Sequence, residues 1–294
     1  MFSGTYTALV TPFRNGEVDE QALRVLVREQ VEAGIDGLVP CGSTGESATL
    51  THAEHEQVIA ATIDECAGRA KVIAGTGSNN TAEACSLTRF AAERGADGAL
   101  LISPYYNKPT QQGHIEHYRA VAEAAGLPII VYNIPGRTGV NMVPETIAAM
   151  AEIPNIVGVK EASGSLDQVS QIVQLTRSAT DGFDVLSGDD SLTLPMMAVG
   201  AHGVISVIGN LVPRRFAELV SSAVAGDFET ARRIHFELLP LMSALFTETN
   251  PIPIKTAMAM TRDMTDELRL PLTPMTEGPR RRLEGALGDA GLLG

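Results

Sequence analysis

The sequence predicts an α/β protein built as a (β/α)8 TIM barrel with a C-terminal helical appendage. Three observations carry that expectation. Eight short apolar runs recur along the first ~210 residues. Segments with helical periodicity separate them, and a glycine-bounded motif recurs at three of the helix-to-strand joints.

The runs lie at 5–10, 37–40, 71–74, 98–102, 128–132, 156–160, 183–186 and 203–207. They are continuous stretches of aliphatic residues, the pattern of parallel strands covered on both faces. Between them, residues 19–33 place Leu23, Leu26, Val27 and Val31 on one stripe, with Asp19 fitting the N-cap. Thr51 fits the next N-cap, and Glu54 three residues later completes a capping box. Helices also fit 81–94, 111–125, 144–151, 166–177 and 192–199. The motifs AGIDG (33–37), RGADG (94–98) and VGAHG (199–203) put a glycine where a helix ends. A doubly wound open sheet is the competing architecture, but eight regular strands favour closure. From about residue 213 only helical patterns follow, at 214–225, 228–246, 255–260 and 279–287. The expected division is a catalytic barrel over 1–225 and a helical domain over 226–294.

Composition narrows the function. A net charge of −13 repels phosphate backbones and anionic lipid, so no nucleic acid or membrane partner is expected. No apolar stretch approaches the ~18 residues of a membrane span, and no signal peptide is visible. The expected location is the cytoplasm. The three cysteines, Cys41, Cys66 and Cys85, are too few and unpatterned for a disulfide framework. With 294 residues the chain can bury a sizeable core, and with no Trp that core must be mainly aliphatic.

Barrel chemistry belongs at the C-terminal ends of the strands. Lys160 ends one apolar run and is one of only four lysines, beside eighteen arginines. A lysine directed into an apolar barrel is desolvated, which lowers its pKa and frees a neutral amine for attack on a ketone. A strand-end lysine paired with a carboxylate is the alternative. Tyr132 ends another run, as either a proton donor or a core aromatic. Tyr105 and Tyr106 sit on a loop, where packing needs bulky aromatics less. Arg137, in Pro135-Gly-Arg-Thr-Gly139, can grip a carboxylate or simply face solvent. The loop GSTGES (42–47) lacks the ending of a P-loop and suits close backbone approach to a small carboxylate, with Ser43 and Thr44 as donors. His52 and His55 have a spacing that can hold a metal, but no third ligand suggests itself, so no metal site is expected. Asp189 or Asp190 fits a helix N-cap.

These segments together resemble the dihydrodipicolinate synthase family over essentially the whole chain. The resemblance rests on GSTGESATL (42–50), VIAGTGSN (72–79), SPYYNKP (103–109), YNIPGRTG (132–139), GVKEASG (158–164), LSGDD (186–190), GVISV (203–207) and NPIPIK (250–255). It implies condensation of pyruvate with L-aspartate 4-semialdehyde through a Schiff base on Lys160, with no cofactor. Tyr132, Ser43 and Tyr106 match the family's proton relay, Tyr106 entering from a neighbouring subunit. Thr44 matches the threonine that holds the pyruvate carboxylate, Arg137 the arginine for the semialdehyde, and Ile205 and Gly188 further positions of the pyruvate pocket. Ser43 departs from the threonine common in the family; it keeps the hydroxyl and loses the methyl that stiffens the rotamer.

The resemblance further implies a homotetramer built as a dimer of dimers. It also implies inhibition by L-lysine at Ala48, His52, His55, Asn79, Glu83 and Tyr105. Two other readings stay open. One is a sister pyruvate-dependent aldolase such as N-acetylneuraminate lyase or a 2-keto-3-deoxy-sugar-acid aldolase, disfavoured by the GRTG loop. The other is a non-catalytic barrel that binds a keto acid, which has no use for a proton relay.

Overall fold

Each apolar run becomes a strand of one closed parallel barrel in the computed structural model, which describes residues 1–177 and 182–293. The barrel strands are β1 (Gly4–Ala8), β2 (Gly37–Val39), β3 (Lys71–Gly75), β4 (Gly98–Ile102), β5 (Ile129–Asn133), β6 (Ile156–Glu161), β7 (Asp184–Ser187) and β8 (Gly203–Ser206). They pair in sequence order, and β8 closes on β1 with Gly203 opposite Gly4. That approach is tight enough to require glycine: a Cβ on Gly203 would lie 2.0 Å from the Gly4 carbonyl oxygen.

Around the barrel run α1 (Glu20–Glu32), α2 (His52–Cys66), α3 (Thr81–Arg94), α4 (Gln111–Ala125), α5 (Pro144–Ala151), α6 (Leu166–Thr176), α7 (Thr193–Ala198) and α8 (Pro213–Val224). The expected caps form. Asp19 accepts from the Ala22 amide at 3.0 Å, and Thr51 with Glu54 makes a full capping box. Three further helices, α9 (Phe228–Ala244), α10 (Ile252–Thr261) and α11 (Glu277–Asp289), follow the barrel. They share its outer core: Leu38, Phe216, Leu241, Ile254 and Leu283 belong to one apolar cluster. Inside the barrel a separate cluster joins Tyr6, Ala8, Val39, Ile73, Leu100, Ile130, Tyr132, Leu186 and Ile205.

The three glycine-bounded motifs do more than end helices. The residue before the strand in each accepts an N–H from the barrel strand alongside. Asp36 takes that of Thr5 (2.7 Å), Asp97 that of Val72 (2.8 Å) and His202 that of Val185 (3.0 Å). These bonds lie at the N-terminal face of the barrel, whose role is stability.

A two-stranded hairpin, Phe13–Arg14 with Glu17–Val18, leaves the end of β1 and has no counterpart in the eight-run reading. Asn15 and Gly16 both take positive φ (55° and 85°), the turn that an Asn-Gly pair favours. No helix among the described residues is long and apolar enough to cross a membrane.

Candidate active site

The register of β5, β6 and β7 brings the main side chains together. Lys160 lies opposite Tyr132 on one side and Leu186 on the other. Its Nζ sits 4.3 Å from the centroid of the Tyr132 ring. The lysine is 5% exposed. Burial lowers its pKa to about 7; the Asp190 charge opposes that shift and Arg137 adds to it. Burial pushes the Tyr132 phenol up to about 12; Arg137 and the Ser43 hydroxyl pull it down, while Glu161 and Asp189 raise it. The site therefore pairs an amine that is largely neutral just above neutral pH with a phenol that keeps its proton.

Gly188, at the end of β7, leaves room for the amine. A Cβ there would lie 3.1 Å from Lys160 Cε and 2.7 Å from Ala162 Cβ. Gly188, Thr44, Tyr132, Arg137, Lys160 and Asn250 line a pocket of about 40 Å³. Ile205 packs inside the barrel in the same apolar cluster as Tyr132, and its neighbour Val207 reaches the pocket wall.

Ser43 and Thr44 belong to a turn after β2. Gly45 and Ser47 both donate to the Gly42 carbonyl (3.1 and 3.4 Å), and Glu46 donates to Ser43 (3.2 Å). Among the described residues no hydrogen bond uses the amides of Ser43 and Thr44. Gly75 admits this turn against β3, since a Cβ there would meet the Cys41 carbonyl oxygen at 2.2 Å. Arg137 sits on a one-turn helix, Pro135–Thr138, and donates to the Asn250 carbonyl at 2.8 Å. Asn250 Nδ2 donates to Thr44 Oγ1 at 2.9 Å.

Tyr106 is not part of this constellation. It is 90% exposed, with φ at +70°. Tyr105 instead lines a second cavity of about 420 Å³, together with Ala48, His52, His55 and Glu83. That cavity also touches Ser43, Tyr132, Arg137 and Asn250, so the two spaces share a wall. His52 Nε2 meets Glu83 at 2.5 Å, and His55 Nε2 meets the Gly75 carbonyl at 2.7 Å. Burial holds the His55 imidazole below its usual pKa. Asn79 donates to the Tyr105 carbonyl at 3.2 Å. The two histidines thus have different partners.

Four residues that pattern reading did not place at the site stand in or beside it. Asp189 is the cap, accepting from Ser191 at 2.9 Å, whereas Asp190 is buried and accepts from the Val207 and Ile208 amides (3.1 and 2.8 Å). Burial raises the Asp190 carboxyl to about 6. Asn250 bridges Thr44 and Arg137. Glu46 and Lys255 form a fully buried ion pair at 2.7 Å. Glu46 was within reach of the loop motif; Asn250 and Lys255 lie over 200 residues from their loop partners, which no local pattern reveals.

A buried amine of lowered basicity beside a protonated phenol, at the C-terminal mouth of a closed (β/α)8 barrel, defines a lyase of the lysine-dependent barrel class. A profile of the dihydrodipicolinate synthetase family matches residues 1–290, and the chain belongs to that family. The 4-hydroxy-tetrahydrodipicolinate synthase of Syntrophus aciditrophicus is 54% identical over 294 residues, covering 100% of both chains. The chloride-inhibited dihydrodipicolinate synthase of Acinetobacter baumannii complexed with pyruvate superposes with a TM-score of 0.96 at 43% identity, covering 100% of both chains. The dihydrodipicolinate synthase of Cyanidioschyzon merolae with lysine bound gives a TM-score of 0.94 at 44% identity, covering 99% of both.

Proposed function

We propose that the chain condenses pyruvate with L-aspartate 4-semialdehyde to 4-hydroxy-tetrahydrodipicolinate, in the cytoplasm, on the route to diaminopimelate and lysine. The observation that carries this is Lys160: a strand-end amine, buried, held near neutrality and stacked beside Tyr132. The neutral amine adds to the pyruvate ketone. Loss of water gives the iminium, and loss of a methyl proton gives the enamine. The enamine carbon attacks the semialdehyde. The semialdehyde's own amine then displaces Lys160, closing the ring and returning the free lysine. Tyr132 and Ser43 move the protons at the pyruvate centre. Thr44, with the free amides of its turn, holds the pyruvate carboxylate, and Arg137 holds the semialdehyde's. Gly188 and Ile205 shape the pocket.

Tyr106 completes the relay from a second copy of the chain in a tetramer. Its exposure on a strained loop beside the cavity supports that role. L-lysine is the inhibitor, held by His52, His55, Glu83, Asn79 and Tyr105 next to Ala48. The cavity lined by Ala48, His52, His55, Glu83 and Tyr105, the Asn79 bond to the Tyr105 carbonyl and the lysine-bound relative support it.

The test couples condensation to reduction of the product. Pyruvate-dependent turnover with the semialdehyde is the expected result. Cleavage of sialic acid or keto-sugar acids in its place would transfer the chain to a sister aldolase.

A further inference from the structure

The turn that presents Ser43 and Thr44 is fastened by two residues that lie far away in sequence. Asn250 donates to the Thr44 hydroxyl, and its carbonyl takes the Arg137 guanidinium. One residue therefore joins the two groups assigned to the substrates' carboxylates. Its own side-chain oxygen is buried without a partner among the described residues, and Asn250 lines both cavities. Five residues further on, Lys255 donates to Glu46 Oε1 at 2.7 Å, with both side chains fully buried. The other Glu46 oxygen accepts the Arg269 amide at 3.2 Å. The Lys255 ammonium also lies 4.2 Å from the Phe13 ring centroid.

This arrangement is poorly explained by stability alone. A buried ion pair contributes no more than an apolar pair of the same volume, while loss of one partner strands a charge. Glu46 itself has φ at +53°, a left-handed conformation that a residue with a side chain keeps only where its surroundings enforce it. The pair enforces one register of the turn two residues from Thr44.

We propose that Asn250 and Lys255 are positioning residues for the catalytic turn. They hold residues 43–46 at two points, so that the Thr44 hydroxyl and the free amides face Lys160. The inference rests on the reading of that pocket as the pyruvate site. It adds a task for the helices after the barrel: their N-terminal approach sets the geometry of a loop belonging to β2.

The test compares Asn250→Ala, Lys255→Met and the double variant Lys255→Met/Glu46→Gln. Three quantities are measured: the denaturation midpoint, kcat, and the pyruvate concentration that half-saturates borohydride trapping. Lys255→Met alone is expected to lose stability. The double variant regains it, because no charge is stranded, yet its pyruvate half-saturation stays raised on the order of ten- to a hundredfold. Asn250→Ala raises the same constant while the pH midpoint of trapping stays in place. A double variant that regains both stability and ordinary half-saturation overturns the clamp, as does an Asn250→Ala chain within about twofold of the parent. Should Lys255→Met fail to fold, the other two variants decide. A parent chain that forms no adduct overturns the pyruvate reading itself, and this is visible before any variant is made.

Discussion

The Lys160 ammonium nitrogen stands 4.3 Å from the centre of the Tyr132 ring, on the adjacent strand and in direct register. The face of a phenol attracts a cation, so the ring offers the protonated amine partial compensation for its burial. Burial still dominates and brings the pKa to about 7. Only the neutral amine attacks, so adduct formation is expected to climb with pH through about 7 and to level off above about 8. Mass spectrometry after borohydride reduction with pyruvate should place the added mass on Lys160, and Lys160→Ala should remove it. An adduct on Lys255, or a midpoint near the ordinary lysine value, would contradict the assignment.

Asp190 gives that profile a second handle. Its charge favours the protonated lysine. Removing the charge in Asp190→Asn should shift the midpoint of trapping to lower pH, not higher, because the ammonium loses the anionic support of that carboxylate. The two amide bonds to Val207 and Ile208 can persist with Asn as acceptor, so the fold should hold. An upward shift would show that Asp190 acts on Lys160 by some route other than its charge.

Arg137 is expected to separate the two substrates. Arg137→Met should move the pH midpoint of pyruvate trapping upward, since a charge that lowers the Lys160 pKa is gone, while above that midpoint the pyruvate half-saturation stays within about twofold. It should lower kcat/KM for the semialdehyde by about ten- to a hundredfold, the worth of one charge-assisted contact of roughly 1.5–3 kcal/mol. Steady-state kinetics with each substrate varied in turn checks this. Equal loss toward both would place the guanidinium at the pyruvate carboxylate.

How far these features were legible depends on whether their cause is local. The eight strands were, since each is a short apolar run rich in β-branched and Leu residues, set between helical segments at regular spacing. Lys160 was in part: a rare lysine at the end of such a run points to a desolvated amine, while a carboxylate partner stayed open until the barrel showed its burial. The hairpin at 13–18 carried an Asn-Gly turn, but its two-residue strands are too short to show alternation. The second task of Asp36, Asp97 and His202, accepting N–H groups from the strand alongside, needs the barrel's register. Asn250 and Lys255 depend on chain closure over more than 200 residues, for which no spacing rule exists. Tyr106 differs again: the chain leaves it in solvent, and its part in the relay belongs to the proposal that a second copy supplies it.

L-lysine should inhibit through the larger cavity. His52 Nε2 meets the Glu83 carboxylate there, and the Ser78 hydroxyl also donates to Glu83. Millimolar L-lysine should lower the rate of the parent chain, and Glu83→Gln should raise the inhibitory concentration by at least about tenfold, since the carboxylate is the counter-charge available to the ligand's ammonium there. The pyruvate half-saturation without lysine should stay within about twofold. A parent chain indifferent to lysine, or a Glu83→Gln chain inhibited as before, would remove the cavity from regulation.

His117 makes stability depend on pH. It is buried on α4, its Nδ1 meets the Thr81 hydroxyl at 2.9 Å, and its Nε2 has no partner among the described residues. Burial, with His114 adding to it, brings the folded-state pKa to about 4 from an unfolded value of 6.5. Between those values the unfolded chain binds a proton that the folded chain refuses, so stability rises with pH across the window and falls as the solution is acidified through it. The full difference corresponds to about 3 kcal/mol at one site. Urea denaturation at pH 7, 6 and 5 should show the midpoint falling most steeply below pH 6. His117→Gln, which keeps an acceptor for Thr81 and cannot titrate, should flatten that fall relative to the parent. An equally steep fall in the variant would assign the acid sensitivity to the other buried histidines, His55, His114 and His235, whose pKa values burial also lowers.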